Sequence, residues 1–151
     1  MNASEITGQL KSQSTGRLFL LSLITLGIYA AHYLKRQTRI INQHLDREHH
    51  ISEGFASFLL FFTYVTAILV IPYVLVEEGH PVETISDVLD IVWGILVLIW
   101  AFKARNRMNL LLTATKDQPH WFDGLWTFLF SVFYFNFKIN SCSVENLKRH
   151  A

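Results

Sequence analysis

The sequence predicts an all-α integral membrane protein, a four-helix bundle built from two helical hairpins. Composition is the first observation behind this prediction: hydrophobic residues make up 51% of the 151 residues and charged residues 17%, against roughly 25% charged in soluble domains. The second is the pattern, because the apolar residues form four blocks and most charged residues lie between the blocks. Long apolar blocks separated by charged connections are typical of membrane spans.

The four blocks set the predicted spans, at about 18–34, 55–76, 83–102 and 124–139. Residues 1–16 form a polar N-terminal tail, and residues 17–151 form a single membrane domain. The first block is short, because a bilayer core of ~30 Å needs about 20 helical residues. Within this block, Gly27, Ala30 and Ala31 lie at i, i+3 and i+4, which favours close packing against a neighbouring helix.

The distribution of Lys and Arg predicts the orientation of the spans. Four of these residues lie in each of the connections 35–54 and 103–123, and the connection between the second and third spans has none. Because loops rich in Lys and Arg stay in the cytoplasm, we expect both basic connections inside and both termini outside. A first segment lying in the membrane interface is the alternative, and it would reverse the N-terminal tail.

Two segments of the chain resemble each other in spacing, which predicts a weak internal duplication of a hairpin. Tyr33 lies nine residues before Asn42, and Trp100 lies nine residues before Asn109, with basic residues between them in both copies. We expect Asn42 and Asn109 to cap or cross-link helix extensions outside the membrane. The alternative is that these matched asparagines line one shared pocket.

A motif in the first half carries a family resemblance. The run Ile24-Thr25-Leu26-Gly27-Ile28-Tyr29, followed by Tyr33, Lys35-Arg36 and Asn42, resembles an uncharacterised family of bacterial membrane proteins, domain of unknown function 4234. The resemblance implies a multi-span bacterial membrane protein, and we expect it in the inner (cytoplasmic) membrane. It implies no activity, catalytic residue or cofactor. His32 departs from the family pattern, which usually has an aromatic residue there.

Asp87 and Asp90 are candidate functional residues, because they lie three residues apart within the third predicted span. Ionisable side chains inside a membrane are costly and mark functional sites. We expect a proton or cation site, or a polar lock to a partner helix, with Lys138 as a candidate partner near the same membrane face. The alternative is a helix that begins nearer the surface, with both carboxylates among the headgroups and close to the positive helix N-terminus.

A second candidate site is a belt of basic residues where the predicted helices leave the membrane. Such residues attract anionic lipid at roughly 1 kcal/mol each, and they also fix topology without binding any particular lipid. The belt consists of Lys35, Arg36, Arg39, Lys103, Arg105 and Arg107.

Other kinds of site receive little support from the sequence. Acidic and histidine residues crowd one turn, but their two i, i+4 pairs do not supply the three or four rigid ligands of a zinc site; they are His44, Glu48, His49, His50 and Glu53. There is no phosphate loop, H-E-x-x-H motif, nucleophile–base pair or redox cysteine pair. We therefore expect no enzyme, no cofactor and no metal. A net charge of +1 gives no attraction to nucleic acid.

Three functions fit these predictions. The first is a small non-catalytic accessory or assembly subunit that packs against other proteins of a larger membrane complex. The second is an oligomeric transporter or channel that uses Asp87 and Asp90. The third is a membrane organiser that binds anionic lipid through the basic belt.

Overall fold

The computed structural model describes residues 3–77 and 80–149, without the side chains of residues 3, 4 and 143–149; residues 78 and 79 of the predicted turn lie outside the described residues. The described chain is helical and contains no strand. A short 3-10 helix, Arg47–His49, precedes the fourth of its six α-helices. These are α1 Ala3–Leu10, α2 Thr15–Ile24, α3 Ile28–Gln43, α4 Glu53–Leu75, α5 Pro81–Leu111 and α6 Gly124–Arg149.

Two helices, α4 and α5, are long and apolar enough to cross a membrane. Their 23 and 31 residues correspond to about 35 and 46 Å of helix. They pack against each other as an antiparallel hairpin, and Trp93 Nε1 of α5 donates to Thr63 Oγ1 of α4 over 2.8 Å. This pair of helices covers the second and third apolar blocks of the sequence.

The α4–α5 hairpin defines two ends of the molecule. The turn end is the end with the connection 76–80 between α4 and α5. The loop end is the opposite one, with the connections 44–52 and 112–123. The Trp93–Thr63 hydrogen bond lies at mid-height between these two ends.

The predicted span over residues 18–34 is not one continuous helix. α2 ends at Ile24, and α3 begins at Ile28 after a turn in which Leu26 and Gly27 have φ values of 50° and 85°. The Tyr29 hydroxyl donates to the side chain of Gln13, although 16 residues of continuous helix would separate these positions by about 24 Å. The chain therefore reverses direction at this turn.

The first turn satisfies its own backbone hydrogen bonds. The amide of Gly27 donates to Ser22 O over 2.7 Å. The Thr25 hydroxyl donates to Leu21 O over 2.7 Å and accepts the amide of Tyr29 over 3.0 Å. Because these polar groups are paired within the chain, the turn can lie in apolar surroundings without water.

Gly27 places the first turn against the middle of the α4–α5 hairpin. A Cβ atom built on Gly27 would lie 3.1 Å from Trp93 Cζ2 and 3.6 Å from Thr63 Cγ2. The close approach and the positive φ both favour glycine at this position. α3 thus starts at mid-height and ends at the loop end, where it leads into α4.

The predicted span over residues 124–139 is also interrupted. Ser131 has φ 44° and ψ −117°, and it divides α6 into a first arm, residues 124–130, and a second arm, residues 132–149. This second reversal explains why the fourth apolar block does not form a single straight helix.

Contacts between the second arm and the residues just before the first arm show that the second arm returns to the loop end. The amide of Asp123 donates to the hydroxyl of Tyr134 over 3.0 Å, and the ring centres of Phe122 and Phe135 lie 5.6 Å apart. Eleven residues of continuous helix would separate residues 123 and 134 by about 16 Å. The arms therefore form a helical hairpin of their own.

The core lies in the half of the molecule nearer the loop end. No residue of α4 after Thr63, and no residue of α5 before Val97, is fully buried within the described chain. Trp100 is fully buried at the centre of this core; its Nε1 donates to Thr38 Oγ1 over 2.8 Å, and its ring lies 5.4 Å from that of Phe135. Nearer the turn end, the described structure consists of α4 and α5 alone.

The N-terminal segment, which the sequence presents as a polar tail, contains α1. Leu10 is 0% exposed, and its carbonyl accepts Gln37 Nε2 of α3 over 3.0 Å. Asn140 Nδ2 of the second α6 arm donates to Gln13 O over 3.0 Å. α1 and the segment after it therefore pack between α3 and α6.

Replacing Thr25 by Val removes the hydroxyl of the first turn while keeping the shape of the side chain. The amide of Tyr29 then loses its acceptor, which costs about 1–3 kcal/mol when water cannot replace it. We expect the apparent melting temperature of the detergent-purified protein to fall by about 2–4 °C per kcal/mol. Thr25→Ser keeps the hydroxyl and is the control. Equal melting temperatures for the two variants would contradict the role assigned to this hydroxyl.

Candidate functional site

Both chain reversals border one cavity beside α4 and α5. The cavity has a volume of about 680 Å³. Its wall includes Gly27 and Ser131 from the two turns. It also includes Asp90, Trp93 and Val97 from the middle of α5. Its lining is mainly apolar with a few polar groups, which is the usual make-up of a ligand-binding cavity.

Among the described residues, Asp90 is the one acidic residue in the wall of this cavity. It lies one turn from Trp93 and about 13 Å along α5 from Pro81. Seven residues, or two helical turns, separate it from the buried Val97, so both lie on the same side of α5. The Asp90 side chain remains exposed in the isolated chain, which leaves it accessible to a proton, a cation or a donor from another molecule.

Asp87 and Lys138 do not join Asp90 in the cavity wall. Asp87 is exposed on α5, about 60° around the helix from Asp90. Lys138 Nζ donates to Pro119 O over 2.7 Å, in the connection at the loop end. Asn109 binds that connection, and about 28 Å of helix separates it from Asp90. The three residues predicted as one polar site therefore occupy two distant places.

Asn42 and Asn109 each bind the backbone of a residue just before the next helix. Asn42 Nδ2 donates to Ile51 O and its Oδ1 accepts the amide of Ile51, both over 2.8 Å. Asn109 Nδ2 donates to Phe122 O over 3.1 Å and its Oδ1 accepts the amide of Phe122 over 2.8 Å. Ile51 and Phe122 each lie two residues before the first residue of α4 or α6. We call these two arrangements the asparagine clasps.

The basic belt surrounds the loop end, and three of its members pack on aromatic rings. Arg36 lies 5.7 Å from the ring centre of Tyr33. Lys103 Nζ lies 5.2 Å from the ring centre of Phe55. Arg105 lies 5.3 Å over the ring of Trp121, and its Nε donates to Phe122 O over 2.8 Å. Arg105 therefore supports the second asparagine clasp. The other belt residues are Lys35, Arg39 and Arg107, on α3 and the last turns of α5.

The small residues and the histidine turn have structural contacts. Ala30 and Ala31 are 3% and 0% exposed, whereas Gly27 lies in the turn before their helix.

His44 Nδ1 contacts Ile40 O over 2.8 Å, consistent with a local helix-end hydrogen bond. Within the described residues, no three His, Cys, Asp or Glu side chains lie close enough together to hold a metal ion.

A family match covers the first reversal and the α4–α5 hairpin. Residues 13–110 match the domain of unknown function DUF4234, which is about two thirds of the chain. The protein belongs to the DUF4234 family. No curated protein and no solved structure matches the chain. The matched region ends before α6, so the second reversal lies outside it.

The DUF4234 motif at residues 24–29 is the first chain reversal. Thr25 and Gly27 provide its side-chain hydrogen bonds and its positive φ, which is a role that hydropathy alone did not assign to them. Thr63 and Trp93 contact the turn, and the sequence did not predict them as site residues. A threonine and a tryptophan inside apolar helices give no distinctive pattern. The signal available for the reversal is a glycine just past a helix end.

Replacing Asn109 by Leu removes a clasp and leaves the buried backbone of Phe122 with fewer hydrogen-bond partners. We expect a loss of about 1–3 kcal/mol, measured as a lower melting temperature in detergent, and a similar loss for Asn42→Leu. Gln43→Leu, at an exposed position of α3 next to Asn42, is the matched control and should change stability by less than about 0.5 kcal/mol. If all three variants have the same melting temperature, the clasps do not stabilise the fold.

Proposed function

We propose that this DUF4234 protein is a multi-pass protein of the bacterial inner membrane, in which α4 and α5 cross the bilayer. The hairpin α2–α3 and the two arms of α6 enter from one face and return to it. Exposed apolar side chains support this proposal: on α4, Phe61, Ile68 and Val74 are 64%, 64% and 72% exposed. Contiguous apolar surface of this kind requires lipid or protein against it.

The proposed orientation follows from the charges. Every Lys and Arg of the sequence falls within residues 11–47 or 103–149, and in the proposed arrangement all of these positions lie toward the loop end. The connection 76–80 at the turn end has none. Loops rich in Lys and Arg remain in the cytoplasm, so the loop end and both termini are cytoplasmic. This replaces the expectation that both termini lie outside.

Within the membrane, we propose that the protein is a non-catalytic accessory or assembly subunit of a larger complex. The observation that carries this proposal is the uneven burial of α4 and α5. Their halves toward the turn end have no fully buried residue within the described chain, and on α5 Ile85 and Ile91 are 54% and 65% exposed. Apolar surface that a chain leaves uncovered is available to a neighbouring helix.

A helix of another membrane protein, placed beside this uncovered half, would cover the apolar area that the chain leaves open. The cytoplasmic half is already filled by α1, α2, α3 and α6. Docking therefore concentrates in the outer half of the bilayer.

We also propose that the chain arose by duplication of a unit that runs from one helix, through an asparagine clasp, into the next helix. The support is the matched pair of clasps and their equal offset from α4 and α6. In this proposal α3–α4 corresponds to α5–α6.

A second candidate function is an oligomeric transporter or channel, and the Asp90 cavity is the observation that favours it. Discontinuous helices that meet near the middle of a membrane often form substrate or ion sites. Here two chain reversals and one carboxylate border a cavity of about 680 Å³. In this function Asp90 would bind the proton or cation.

Native mass spectrometry of the untagged protein, extracted at natural abundance in a mild detergent, tests the accessory function. We expect a complex of fixed stoichiometry with other membrane proteins. Val88→Trp adds bulk on the half of α5 toward the turn end, where Val88 is 53% exposed, and it should weaken that complex; Phe128→Trp, on the exposed first α6 arm, should leave it intact. A monomer or a closed homo-oligomer without other chains would contradict the accessory function.

Asp90→Asn separates the two candidate functions. An accessory subunit keeps its complex when this carboxylate becomes neutral, and it disappears from the membrane when its partner is deleted. A transporter loses cation or proton flux in reconstituted vesicles with Asp90→Asn and does not depend on another protein for its abundance. The two measurements thus give opposite patterns for the two functions.

A further inference from the structure

A groove separate from the Asp90 site runs along the α6 hairpin. It has a volume of about 660 Å³. The connection 112–123, both arms of α6 and Thr15 at the start of α2 form its wall. Six aromatic residues supply most of the lining: Trp121, Trp126, Phe130, Phe133, Tyr134 and Phe137. The basic belt contributes none of its members to this wall.

The charged and apolar parts of the groove lie at opposite ends. Lys116 and Lys138 lie at the loop end, where Lys138 Nζ donates to Pro119 O. Phe130 and Phe133 lie at mid-height, since both also line the cavity at the chain reversals. The first α6 arm between these ends is about 10 Å long. A molecule that fits this groove has an anionic end and an apolar part at least that long.

The charge of the groove is positive on balance. Asp123 is the acidic residue in its wall among the described residues. The Asp123 carboxylate accepts the amides of Leu125 and Trp126 over 2.8 and 3.3 Å, so it interacts with the N-terminus of α6. The ammonium groups of Lys116 and Lys138 are not matched by a second carboxylate in the wall.

Adjacent aromatic rings form part of the surface of the apolar part of the groove. The rings of Trp126 and Phe130 stack at 5.8 Å with an interplanar angle of 20°. Such a surface suits a straight alkyl chain, and tryptophan with lysine is the combination found where helices meet lipid headgroups.

We propose that this groove binds one anionic phospholipid of the cytoplasmic leaflet. The lipid phosphate lies between Lys116 and Lys138, and one acyl chain lies along Trp126 and Phe130 towards mid-height. The proposal rests on the membrane embedding proposed above. It does not depend on the accessory function or on Asp90.

Lipid titration of the detergent-purified full chain tests this site. Bound lipid is counted by native mass spectrometry with phosphatidylglycerol and with phosphatidylcholine of identical acyl chains. We expect one phosphatidylglycerol to bind more tightly than phosphatidylcholine. Lys116→Gln with Lys138→Gln should weaken phosphatidylglycerol binding by about fivefold per lysine and weaken phosphatidylcholine binding less, because the choline ammonium offsets the charge of its phosphate. Trp126→Ala should weaken both lipids.

The control is Lys35→Gln with Lys103→Gln, which removes the same charge from the basic belt outside the groove. An equal loss of phosphatidylglycerol binding in this control would overturn the site, because it would indicate a general charge effect. Equal binding of the two lipids by the unaltered protein would also overturn it. Tight binding of soluble glycerol 3-phosphate, without preference for the lipid, would assign the lysines to a free phosphate compound instead.

Two further measurements distinguish a failure of the lipid proposal from unfolding of a variant and from a failure of the proposed membrane embedding. The melting temperature of each groove variant establishes that the variant is folded, so that lost binding reflects the site. Extraction of the unaltered protein with the membrane fraction tests the embedding. A folded, membrane-embedded protein that binds no lipid in this groove contradicts the lipid proposal alone.

Discussion

The contact on which the rest of the structure depends is the seating of the first chain reversal on Trp93 and Thr63. Gly27 permits both the positive φ of the turn and its approach to the Trp93 ring. Thr25 pairs with the backbone on either side, so the turn can sit where water is absent. With the turn fixed at mid-height, α2 and α3 are confined to one half of the molecule. The second reversal at Ser131 meets the same cavity and confines α6 in the same way.

Confining these helices to one half produces the features on which the functional proposals rest. The half at the loop end is filled, with Trp100 buried at its centre, whereas the half at the turn end is a pair of helices with exposed apolar faces. Asp90 lies near the boundary between the halves, where the chain itself offers little cover. The same arrangement brings the basic residues toward one end, and it places an aromatic groove with Lys116 and Lys138 beside the basic belt. The proposed partner site and the proposed lipid site thus fall at opposite ends.

The sequence predicted the helical class, the two long apolar helices and the family, and each prediction followed from a strong local pattern. It did not predict the reversals, because an apolar block looks alike whether it crosses a membrane or enters and returns. Gly27 offered a signal for the first reversal. Around Ser131 the residues are aromatic and aliphatic without glycine or proline, so no local signal marks the second. Lys138 was paired with Asp87 and Asp90 for this reason: a straight fourth span would have carried it to the turn end.

The side of the membrane on which the N-terminus lies tests the central claim most directly. Single cysteines at Ser12, Asp46 and Glu77, in a Cys142→Ser background, can be labelled with an impermeant maleimide on intact cells whose outer membrane has been opened. We predict labelling of Glu77→Cys alone, and labelling of Ser12→Cys and Asp46→Cys only after the inner membrane is broken. Labelling of Ser12→Cys together with Glu77→Cys would contradict the account, since the first apolar block would then cross the bilayer.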